Sequence, residues 1–330
     1  MNSRDLDHAL LTYQNTPAVV IGRSQNPWSE CNFDALQREG ISLVRRKSGG
    51  GTVYHDLGNS NYFVLMPRSS FQRTTNAILV RDALVDLGIP AEVTERKDIA
   101  VDGLKVSGSA YKVSGNKAYH HGTMLLNADL RRLSKVLKPF EVEITTKGIE
   151  SVRSPVTNLF NYHSGITHSL FTDSVSKRFQ TTYNYPHAER IFIDEAFLAK
   201  HPVIVESANK IKSWDWTFGQ TPEFTIKDMI ALELFANASK QNYILEFTCK
   251  YGLFTHISIR TPSEPSDSQT NAYLDAFNQA LVKHHTGMKF NKGSLVACMM
   301  VGPPDFGSSH PHMEHAWKTV VHRLGQLASF

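Results

Sequence analysis

The chain has 330 residues, of which 41% are hydrophobic and 20% are charged, and its formal net charge at neutral pH is +4. No apolar run approaches the roughly 18 residues that a membrane-spanning helix needs, and the basic residues are too scattered for the concentrated face of a nucleic-acid-binding protein. We therefore predict a protein that neither enters a membrane nor binds nucleic acid, and the charge is compatible with an acidic protein partner.

The three cysteines do not have the spacing of a disulfide-bonded or zinc-binding protein. Cys31, Cys249 and Cys298 are widely spaced and form no CxxC pair. So few and so separate thiols predict neither a disulfide framework nor a zinc site. We expect a reducing compartment.

The first half of the chain is predicted to alternate strands and helices. Residues 1–15 carry Asp5 and Asp7 among few basic side chains, unlike a signal or transit peptide. Strands are predicted at 19–21, 53–65, 91–94, 105–112 and 119–126, the last two joined by a turn at Ser114-Gly115-Asn116. A helix is predicted at 75–87, closed by Gly88 and Pro90, and another is predicted to begin after a cap at Asp129 or Asn127. Without strict βαβ order, this pattern predicts an α/β (α+β) fold with a mixed sheet.

A second unit is predicted in the C-terminal third. The composition changes over 181–202, a helix is predicted to end near Lys212, and the new unit is predicted to start near Phe224. It contains a predicted hairpin of strands at 243–249 and 253–259, turning at Tyr251-Gly252, and an amphipathic helix at 273–282. We predict two domains, 1–220 and 221–330.

Two histidine groups superficially resemble metal ligands. They are His310-Pro311-His312-Met313-Glu314-His315 and His284-His285. Because a proline separates the first two histidines and no cysteine lies nearby, we predict solvated loops rather than a metal site. A loop is predicted over 302–311, and a polar connection over 263–269.

The strongest chemical signal lies in Arg46-Lys47-Ser48-Gly49-Gly50-Gly51-Thr52-Val53-Tyr54-His55-Asp56. Glycine loses more conformational entropy on folding than any other residue, so three in succession indicate close main-chain approach to a ligand, with amides free to donate to an anion. The basic residues 45–47 supply a countercharge. Taken alone, the triple glycine is also typical of a flexible turn.

A second run shows which family the chain resembles. It comprises 98–111, with Lys105-Val106-Ser107-Gly108-Ser109-Ala110-Tyr111, followed by Tyr119-His120-His121-Gly122-Thr123-Met124-Leu125-Leu126. Together with the glycine stretch, these blocks closely resemble the lipoate–protein ligase and lipoyltransferase family. Blocks at 20–28 and 147–154 agree in order and spacing, so the resemblance covers about residues 15–220.

The resemblance implies both a fold and an activity. The expected fold is a mixed-sheet catalytic domain of the biotin/lipoate ligase type with a small α/β accessory domain. The expected reaction uses ATP and Mg²⁺ to convert lipoate or octanoate to the acyl-AMP, and then acylates one lysine of a lipoyl domain. The implied partners are the lipoyl domains of 2-oxoacid dehydrogenase complexes and the glycine cleavage H protein, and the enzyme is expected to be a monomer.

Site roles follow from the matching positions. Lys105 is the expected catalytic residue, because its ammonium can stabilise charge that develops on the acyl carbonyl and the α-phosphate. The resemblance implies ATP contacts at Arg46, Gly51, Thr52, Val53, Tyr54 and Lys105. It implies lipoate contacts at Lys105, Ser48, Gly49, Gly50, His55, Asn59 and His121. A surface lysine on a hairpin and ordinary turn or cap hydrogen bonds are the alternative interpretations.

Two further roles concern a histidine pair and a carboxylate. Successive strand residues face opposite sides, so at most one of His120 and His121 points into the pocket, and we predict His121 as pocket wall rather than proton acceptor. Asp98 is the predicted magnesium ligand, because Mg²⁺ can be held by one carboxylate together with substrate phosphates. An exposed acid at a strand end is the alternative.

Three features depart from the family. The family has a strand and helix before the block at 20–28, where only about seventeen residues stand here, so we expect this element to be incomplete. Lys112 replaces a frequent arginine, exchanging a fork-shaped donor for a point charge. Lys97 replaces a familiar asparagine before Asp98.

Alternative functions remain open. A transferase could take the acyl group from acyl-CoA, acyl-AMP or another carrier without ATP, and a catalytically impaired protein could still bind lipoyl domains. Octanoyltransferases need a nucleophilic cysteine, but Cys31 in Glu30-Cys31-Asn32 is predicted to be structural. Biotin ligases use a different nucleotide loop. We expect a mitochondrial protein if the source is eukaryotic, which the divergent C-terminal half favours, and a cytoplasmic one if it is bacterial.

Overall fold

The computed structural model describes residues 8–137, 141–234, 240–263, 268–301 and 311–328. The strands are β1 (Ala9–Tyr13), β2 (Ala18–Ile21), β3 (Ser42–Arg45), β4 (Val53–His55), β5 (Asn59–Pro67), β6 (Ala91–Val93), β7 (Ile99–Val101), β8 (Leu104–Ser107), β9 (Ser109–Ser114), β10 (Lys117–Leu125), β11 (Glu143–Thr146), β12 (Phe224–Leu232), β13 (Gln241–Lys250) and β14 (Leu253–Arg260). The helices are α1 (Pro27–Glu30), α2 (Phe33–Arg38), α3 (Arg73–Val85), α4 (Leu130–Val136), α5 (His168–Tyr183), α6 (Glu195–Ala199), α7 (Pro202–Lys212), α8 (Trp214–Thr217), α9 (Ser268–His285), α10 (Lys292–Val301) and α11 (Pro311–Ala328). This mixture of helices and strands confirms the predicted α/β fold class.

The described residues fall into two compact units, each built from several chain segments. Unit 1 takes those within Met1–Arg23, Arg38–Leu137 and Ser151–Ser213. Unit 2 takes those within Ser24–Gln37, Lys138–Glu150 and Trp214–Phe330. The single boundary predicted at 220 lies near the start of the last segment, but the two short excursions into unit 2 were not predicted.

The largest sheet of unit 1 is antiparallel, in the order β1-β5-β10-β9. Because side chains alternate along a strand, Tyr62, Val64 and Met66 of β5 face the core, where they pack with residues of α3 and α5. On β10, His121 pairs with Phe63, and His120 pairs with Val64. The other face of β5 and β10 therefore carries Phe63 and His121. The sheet thus has one apolar core face and one face available for a site.

The remaining sheets of unit 1 each have three strands, and a turn connects one of them to the large sheet. The sheet β3-β2-β4 is mixed, because β2 is parallel to β3 and antiparallel to β4. The predicted strand 53–65 was wrong as one element, because Asp56 and Gly58 turn the chain from β4 into β5. The Asp56 Oδ1 atom accepts the Gly58 amide at 2.8 Å, and a Cβ at Gly58 would lie 2.0 Å from the Asn127 carbonyl oxygen.

A second predicted strand also divides between sheets. The run 105–112 breaks at Gly108, where β8 of the sheet β6-β7-β8 gives way to β9 of the large sheet. The Thr123 amide donates to the Gly108 carbonyl at 2.9 Å, and the Gly108 amide donates to the Thr123 Oγ1 atom at 3.2 Å. The break places the backbone of Gly108 beside the Lys105 side chain.

Several local predictions are confirmed. The structure has α3 close to the predicted range, the β9–β10 hairpin, the end of α7 at Lys212, the β13–β14 hairpin, and α9 over the predicted amphipathic stretch. Asp129 caps α4, its side chain accepting the amides of Arg131 and Arg132. No strand was predicted before Val19, yet β1 pairs with β5 from Ala9 to Tyr13.

Unit 2 is an antiparallel sheet, β11-β12-β13-β14, with an aromatic core. Asn26 caps α1, its side chain accepting the Trp28 amide, and this helix delivers Trp28 to the core. The Trp28 ring lies 4.9 Å from Phe224, 5.1 Å from Phe290 and 5.5 Å from Phe218, measured between ring centres. The short segment 24–37 thus supplies a central side chain of this unit.

The prediction that both histidine groups lie in solvated loops was wrong, because the described residues of each group lie in helices. Pro311 begins α11 rather than interrupting a loop, since proline suits the first turn of a helix, and Met313 and Trp317 on this helix are buried. His285 is fully buried at the end of α9, where its Nδ1 atom lies 3.0 Å from the Leu281 carbonyl oxygen. His310, residues 302–310 and most of the predicted connection at 263–269 lie outside the described residues.

Among the described residues, no helix combines the length and the apolar character that crossing a membrane requires.

Candidate active site

The glycine loop, defined as residues 47–52, follows β3 and lies against the end of β2. The Arg23 amide donates to the Ser48 carbonyl at 2.8 Å, and the Arg46 amide donates to the Ile21 carbonyl at 3.0 Å. A Cβ at Gly22 would lie 2.0 Å from the Gly50 carbonyl oxygen. Gly50 itself has a φ of +86°, which favours glycine. Only glycines at both positions allow this approach.

Arg46 holds the glycine loop from inside. Its Nε and Nη2 atoms donate to the Gly49 carbonyl at 3.1 and 2.6 Å, and Nη2 also donates to the Gly51 carbonyl at 2.7 Å. Its Nη1 atom donates to the Val20 carbonyl at 3.0 Å. Arg46 was predicted to contact ATP, and here its guanidinium contacts the loop itself. Burial lowers the pKa of Arg46 to about 10, so it stays cationic at neutral pH.

Ser48 and His121 meet across the loop and the large sheet. The Ser48 Oγ atom lies 2.6 Å from His121 Nε2, and the Ser48 side chain is almost fully buried. His121 is flanked by Tyr119 and Phe63, with ring centres at 5.7 and 6.5 Å. His120 faces the core on the opposite side, edge-on to Tyr62. The two histidines therefore face opposite sides of the sheet, as the alternation of strand residues predicted.

The histidines of this region are neutral. Burial, reinforced by the Arg46 charge, lowers the pKa of His55 to about 4 and that of His121 to about 3. The His55 Nδ1 atom lies 2.9 Å from the Asn15 side-chain nitrogen. Since the histidines carry no charge at neutral pH, Arg46 is the cation of this part of the site. Such a region favours an anionic ligand.

The remaining residues predicted around the loop are placed by β4 and β5. Val53 pairs with Val20 in the β2–β4 ladder, and the Tyr54 side chain is buried in the core. Asn59 is fully buried at the start of β5, donating to the Asn61 side chain at 3.3 Å. Ligand contacts at Tyr54 are therefore limited to its main chain.

Lys105 carries the second cation of the site. Its Nζ atom lies 2.8 Å from Asp98 Oδ2, with side-chain exposures of 26% for the lysine and 16% for the aspartate. A Cβ at Gly108 would lie 3.4 Å from that Nζ. The missing side chain at Gly108 therefore leaves room for the ammonium. The Lys105 amide donates to the Pro155 carbonyl, and its carbonyl accepts the Thr157 amide, both at 3.0 Å.

The start of β9 brings the loop and the lysine together. Gly108 contacts the Lys105 side chain, while Ala110, two residues later, has its Cβ 3.2 Å from the position of a Gly50 Cβ. Ala110 also pairs with His121 in the β9–β10 ladder. One face of the large sheet thus carries the glycine loop with its cation Arg46, the Lys105 ammonium and the apolar side chain of Ala110.

Ser151 was not predicted as a site residue, yet its side chain contacts the glycine loop. The Ser151 Oγ atom accepts the Thr52 amide at 2.8 Å, and it would lie 3.1 Å from a Cβ at Gly51. Ser151 lies in the block 147–154 that carried part of the resemblance, but only its contact with the loop reveals a role there.

The cysteines are not part of this arrangement. Cys31 is fully buried in unit 2, and burial raises the pKa values of Cys249 and Cys298. Within the described residues, no group of three or more His, Cys, Asp or Glu side chains could hold a metal ion.

The family comparison agrees with the blocks described above. The family model for the lipoyl protein ligase A/B catalytic domain matches residues 1–180. A lipoate-protein ligase A of Psychrobacter cryohalolentis is 40% identical over 222 residues, covering 66% of this chain and 66% of the relative. A Schizosaccharomyces pombe relative, whose name provisionally assigns it to lipoate-protein ligase A, is 43% identical over 236 residues, covering 66% and 64%. The chain thus spans just under two thirds of the length of these relatives.

Solved structures show the same fold. Plasmodium falciparum LipL1 in complex with lipoate superposes with a TM-score of 0.58 at 25% identity, covering 98% of this chain and 87% of that chain. A lipoate-protein ligase A bound with ATP gives a TM-score of 0.55 at 24% identity, covering 64% and 85%. The predicted lipoate ligase fold is confirmed by the first superposition, which extends over nearly the whole chain. Since the family model matches more than half of it, the chain belongs to the lipoyl protein ligase A/B catalytic-domain family.

Proposed function

We propose that this protein is a lipoate–protein ligase, which activates lipoate or octanoate with ATP and transfers the acyl group to a lysine of a lipoyl domain. The observation that carries the proposal is the arrangement of Lys105 and the glycine loop on either side of the start of β9. The names of the relatives and the lipoate and ATP reported with similar structures support the same ligands.

In the first step, a carboxylate oxygen of the fatty acid attacks the α-phosphorus of ATP, and the bond to pyrophosphate breaks. Negative charge grows on the phosphoryl oxygens as the new bond forms. The Lys105 ammonium supplies preorganised positive charge for these oxygens, and the glycine-loop amides supply further donors. The neutral His55 and His121 add no charge that would compete with Lys105 for the substrate.

In the second step, the lysine amine of the carrier domain attacks the acyl carbonyl, the bond to AMP breaks, and the amine loses a proton. A general base works best when its pKa lies near the operating pH. With a pKa of about 3, His121 is a poor acceptor for that proton. The structure therefore supports His121 as pocket wall, where it fixes the Ser48 side chain.

Asp98 suits a magnesium ion that is held mainly by substrate phosphates. Its Oδ2 atom accepts a hydrogen bond from the Lys105 ammonium, and its Oδ1 atom has no hydrogen-bond partner among the described residues. Mg²⁺ usually keeps several waters and needs only one or two carboxylates in nucleotide sites. Asp98 would hold the ion, which would supply positive charge at the phosphates when bound.

The partners in this proposal are lipoyl domains of 2-oxoacid dehydrogenase complexes and the glycine cleavage H protein, met by a monomeric enzyme. The proposed compartment is the mitochondrion if the source is eukaryotic and the cytoplasm if it is bacterial. Organelle fractionation of the native source would test the first placement.

Mass spectrometry of a purified apo lipoyl domain tests the proposal directly. The domain is incubated with the protein, lipoate and Mg-ATP, and parallel reactions use Lys105→Ala or replace lipoate and ATP by octanoyl-CoA. Lys227→Ala, which removes a lysine of unit 2, serves as the matched control. We expect a lipoyl mass shift that requires ATP, that falls at least about 100-fold in Lys105→Ala, and that is retained in Lys227→Ala.

Two other outcomes would replace this proposal. Modification only from octanoyl-CoA would make the protein an ATP-independent transferase. No modification by a folded sample that still retains lipoyl domain in a pull-down would make it a carrier-binding protein. A covalent acyl-serine route through Ser48 has little support, because the neighbouring His121 is too weak a base.

A further inference from the structure

The hydrogen bond between Ser151 and the glycine loop occupies a main-chain donor that the proposed function needs. The Thr52 amide donates to Ser151 Oγ at 2.8 Å. An amide has one hydrogen, so it cannot make a full hydrogen bond to Ser151 and to a ligand oxygen at the same time. Thr52 is one of the residues expected to contact ATP.

The orientation of the loop shows which way its amides point. The Arg46 guanidinium donates hydrogen bonds to the carbonyls of Gly49 and Gly51. In a planar trans peptide, the carbonyl and the following N–H point to opposite sides. The amides of Gly50 and Thr52 are therefore turned away from Arg46. The Thr52 amide donates to the Ser151 hydroxyl on that side of the loop.

A hydroxyl oxygen is a neutral acceptor in a region that favours anions. Hydrogen bonds to charged acceptors are shorter and roughly twice as strong as those between neutral groups. The Arg46 guanidinium donates to the Gly51 carbonyl of the same peptide unit, so an anionic oxygen near the Thr52 amide gains an attraction that a neutral serine hydroxyl does not.

We propose that the Ser151 hydroxyl is a placeholder for a nucleotide phosphate oxygen, so that ATP and the Ser151–Thr52 hydrogen bond compete for one amide. This inference rests on the proposed function and adds a residue that tunes nucleotide affinity. Ser151 is a positioning residue: its hydroxyl accepts the Thr52 amide until a phosphate oxygen takes that amide instead.

The test measures ATP binding by isothermal titration calorimetry, with Mg²⁺ and without lipoate, so that no turnover occurs. The variants are Ser151→Ala, the nearly isosteric Ser151→Cys, and Ser151→Thr, which keeps the hydroxyl. Ser134→Ala, an exposed serine of α4, is the matched control. Removing one competing hydrogen bond is expected to lower the Kd for ATP about 2- to 10-fold in Ser151→Ala. Ser151→Cys should shift it less, and Ser151→Thr and Ser134→Ala should match the wild type.

Hydrogen–deuterium exchange of residues 49–54 gives a readout that a change in global stability would not imitate. In the absence of ATP, the Thr52 amide should exchange faster in Ser151→Ala than in wild type. With ATP bound, the two proteins should be equally protected, because the same phosphate contact replaces the serine in both.

An unchanged or higher Kd in both Ser151→Ala and Ser151→Cys would overturn the inference, while lipoyl modification by the wild type would leave the proposed function standing. Absence of ATP binding in every variant would also overturn it. In that case the mass-spectrometric assay decides separately whether the protein acts from acyl-CoA.

Discussion

Burial converts the ionisable side chains around the glycine loop into a fixed charge pattern. Arg46 stays protonated, while burial and the Arg46 charge keep His55 and His121 neutral at neutral pH. The site therefore does not depend on histidine titration near pH 6 to 8 to remain attractive to an anion. Stability, by contrast, must respond to acid.

The free energy of unfolding is expected to fall as the pH drops from about 6.5 to about 4. An unfolded histidine takes up a proton near pH 6.5, whereas His55, His120 and His121 resist it until pH 4 or lower, so acid favours the unfolded chain. Each contributes a slope of at most about 1.4 kcal/mol per pH unit in this window. Urea unfolding monitored by circular dichroism at several pH values measures it.

The variant His121→Gln should show a smaller slope than wild type between pH 6.5 and 4, whatever its stability at neutral pH. His256→Gln, which removes an exposed histidine of β14, is the control and should keep the wild-type slope. Equal slopes in all three proteins would contradict the burial of a neutral His121.

Lys97 is held in a backbone conformation that suits another residue. Its φ is +67°, in the left-handed region, within a turn closed by the Lys97 amide and the Thr94 carbonyl at 2.9 Å. Asparagine adopts this region more readily than lysine. Lys97→Asn should therefore raise the free energy of unfolding by about 0.5 to 1 kcal/mol in urea titrations.

The matched replacement Lys227→Asn, in the extended strand β12, should bring no gain, because asparagine is disfavoured in strands. A loss of stability in Lys97→Asn would mean that the lysine side chain contributes more than the backbone strain costs.

At the scale of elements, the glycine loop depends on its contact with the end of β2. Gly22→Ala would place a Cβ 2.0 Å from the Gly50 carbonyl oxygen, so the loop must move away from Arg46. We expect a loss of about 2 kcal/mol or more in unfolding free energy, as for an overpacked core, together with loss of ATP binding by calorimetry. Gly49→Ala meets no atom within 4 Å and should cost little stability. Comparable losses in both variants would contradict the specific role of the close approach between Gly22 and Gly50.

The elements also show what sequence patterns can and cannot predict. Alternation and turn residues located the β9–β10 hairpin and β13–β14 hairpin, because these signals are local. The breaks at Asp56–Gly58 and Gly108 were missed, because both runs keep a β-rich composition while the chain changes sheets. The positions of these two breaks depend on hydrogen bonds to residues that are distant in sequence. The strand β1 was missed for the same reason, since its pairing with β5 defines it.

The residues of the candidate site also fall into those that the sequence predicted and those that only the structure reveals. Lys105, Arg46 and the loop glycines were found because sequence blocks carry them, and the structure brings them together. Asp98 was expected beside a metal, but its ion pair with Lys105 is visible only in three dimensions. The Arg46 contacts with loop carbonyls and the Ser151 contact with Thr52 depend on folded backbone geometry that no local pattern records.

At the scale of the whole molecule, unit 2 depends on chain segments far apart in sequence. A fragment of residues 1–213 would retain Trp28 but lose its partners Phe218, Phe224 and Phe290. It would contain one of the four tryptophans of the chain. We expect the emission of Trp28 in this fragment to be red-shifted and readily quenched by acrylamide.

In the full chain, the Trp28 side chain is 3% exposed and should resist quenching. The control is the full chain with Trp214, Trp216 and Trp317 replaced by phenylalanine, which leaves the same single reporter. A blue, protected emission in the fragment would show that residues 24–37 bury Trp28 without the C-terminal segment.

The segmented construction of unit 2 has a consequence during synthesis. Trp28 leaves the ribosome long before Phe290 is made, and at ordinary elongation rates the delay is on the order of tens of seconds. Throughout that interval, the nascent chain carries an apolar ring whose native neighbours do not yet exist. The demand for chaperone binding should therefore be set by the distance in sequence between the halves of this aromatic cluster, and it should end only when the last segment emerges.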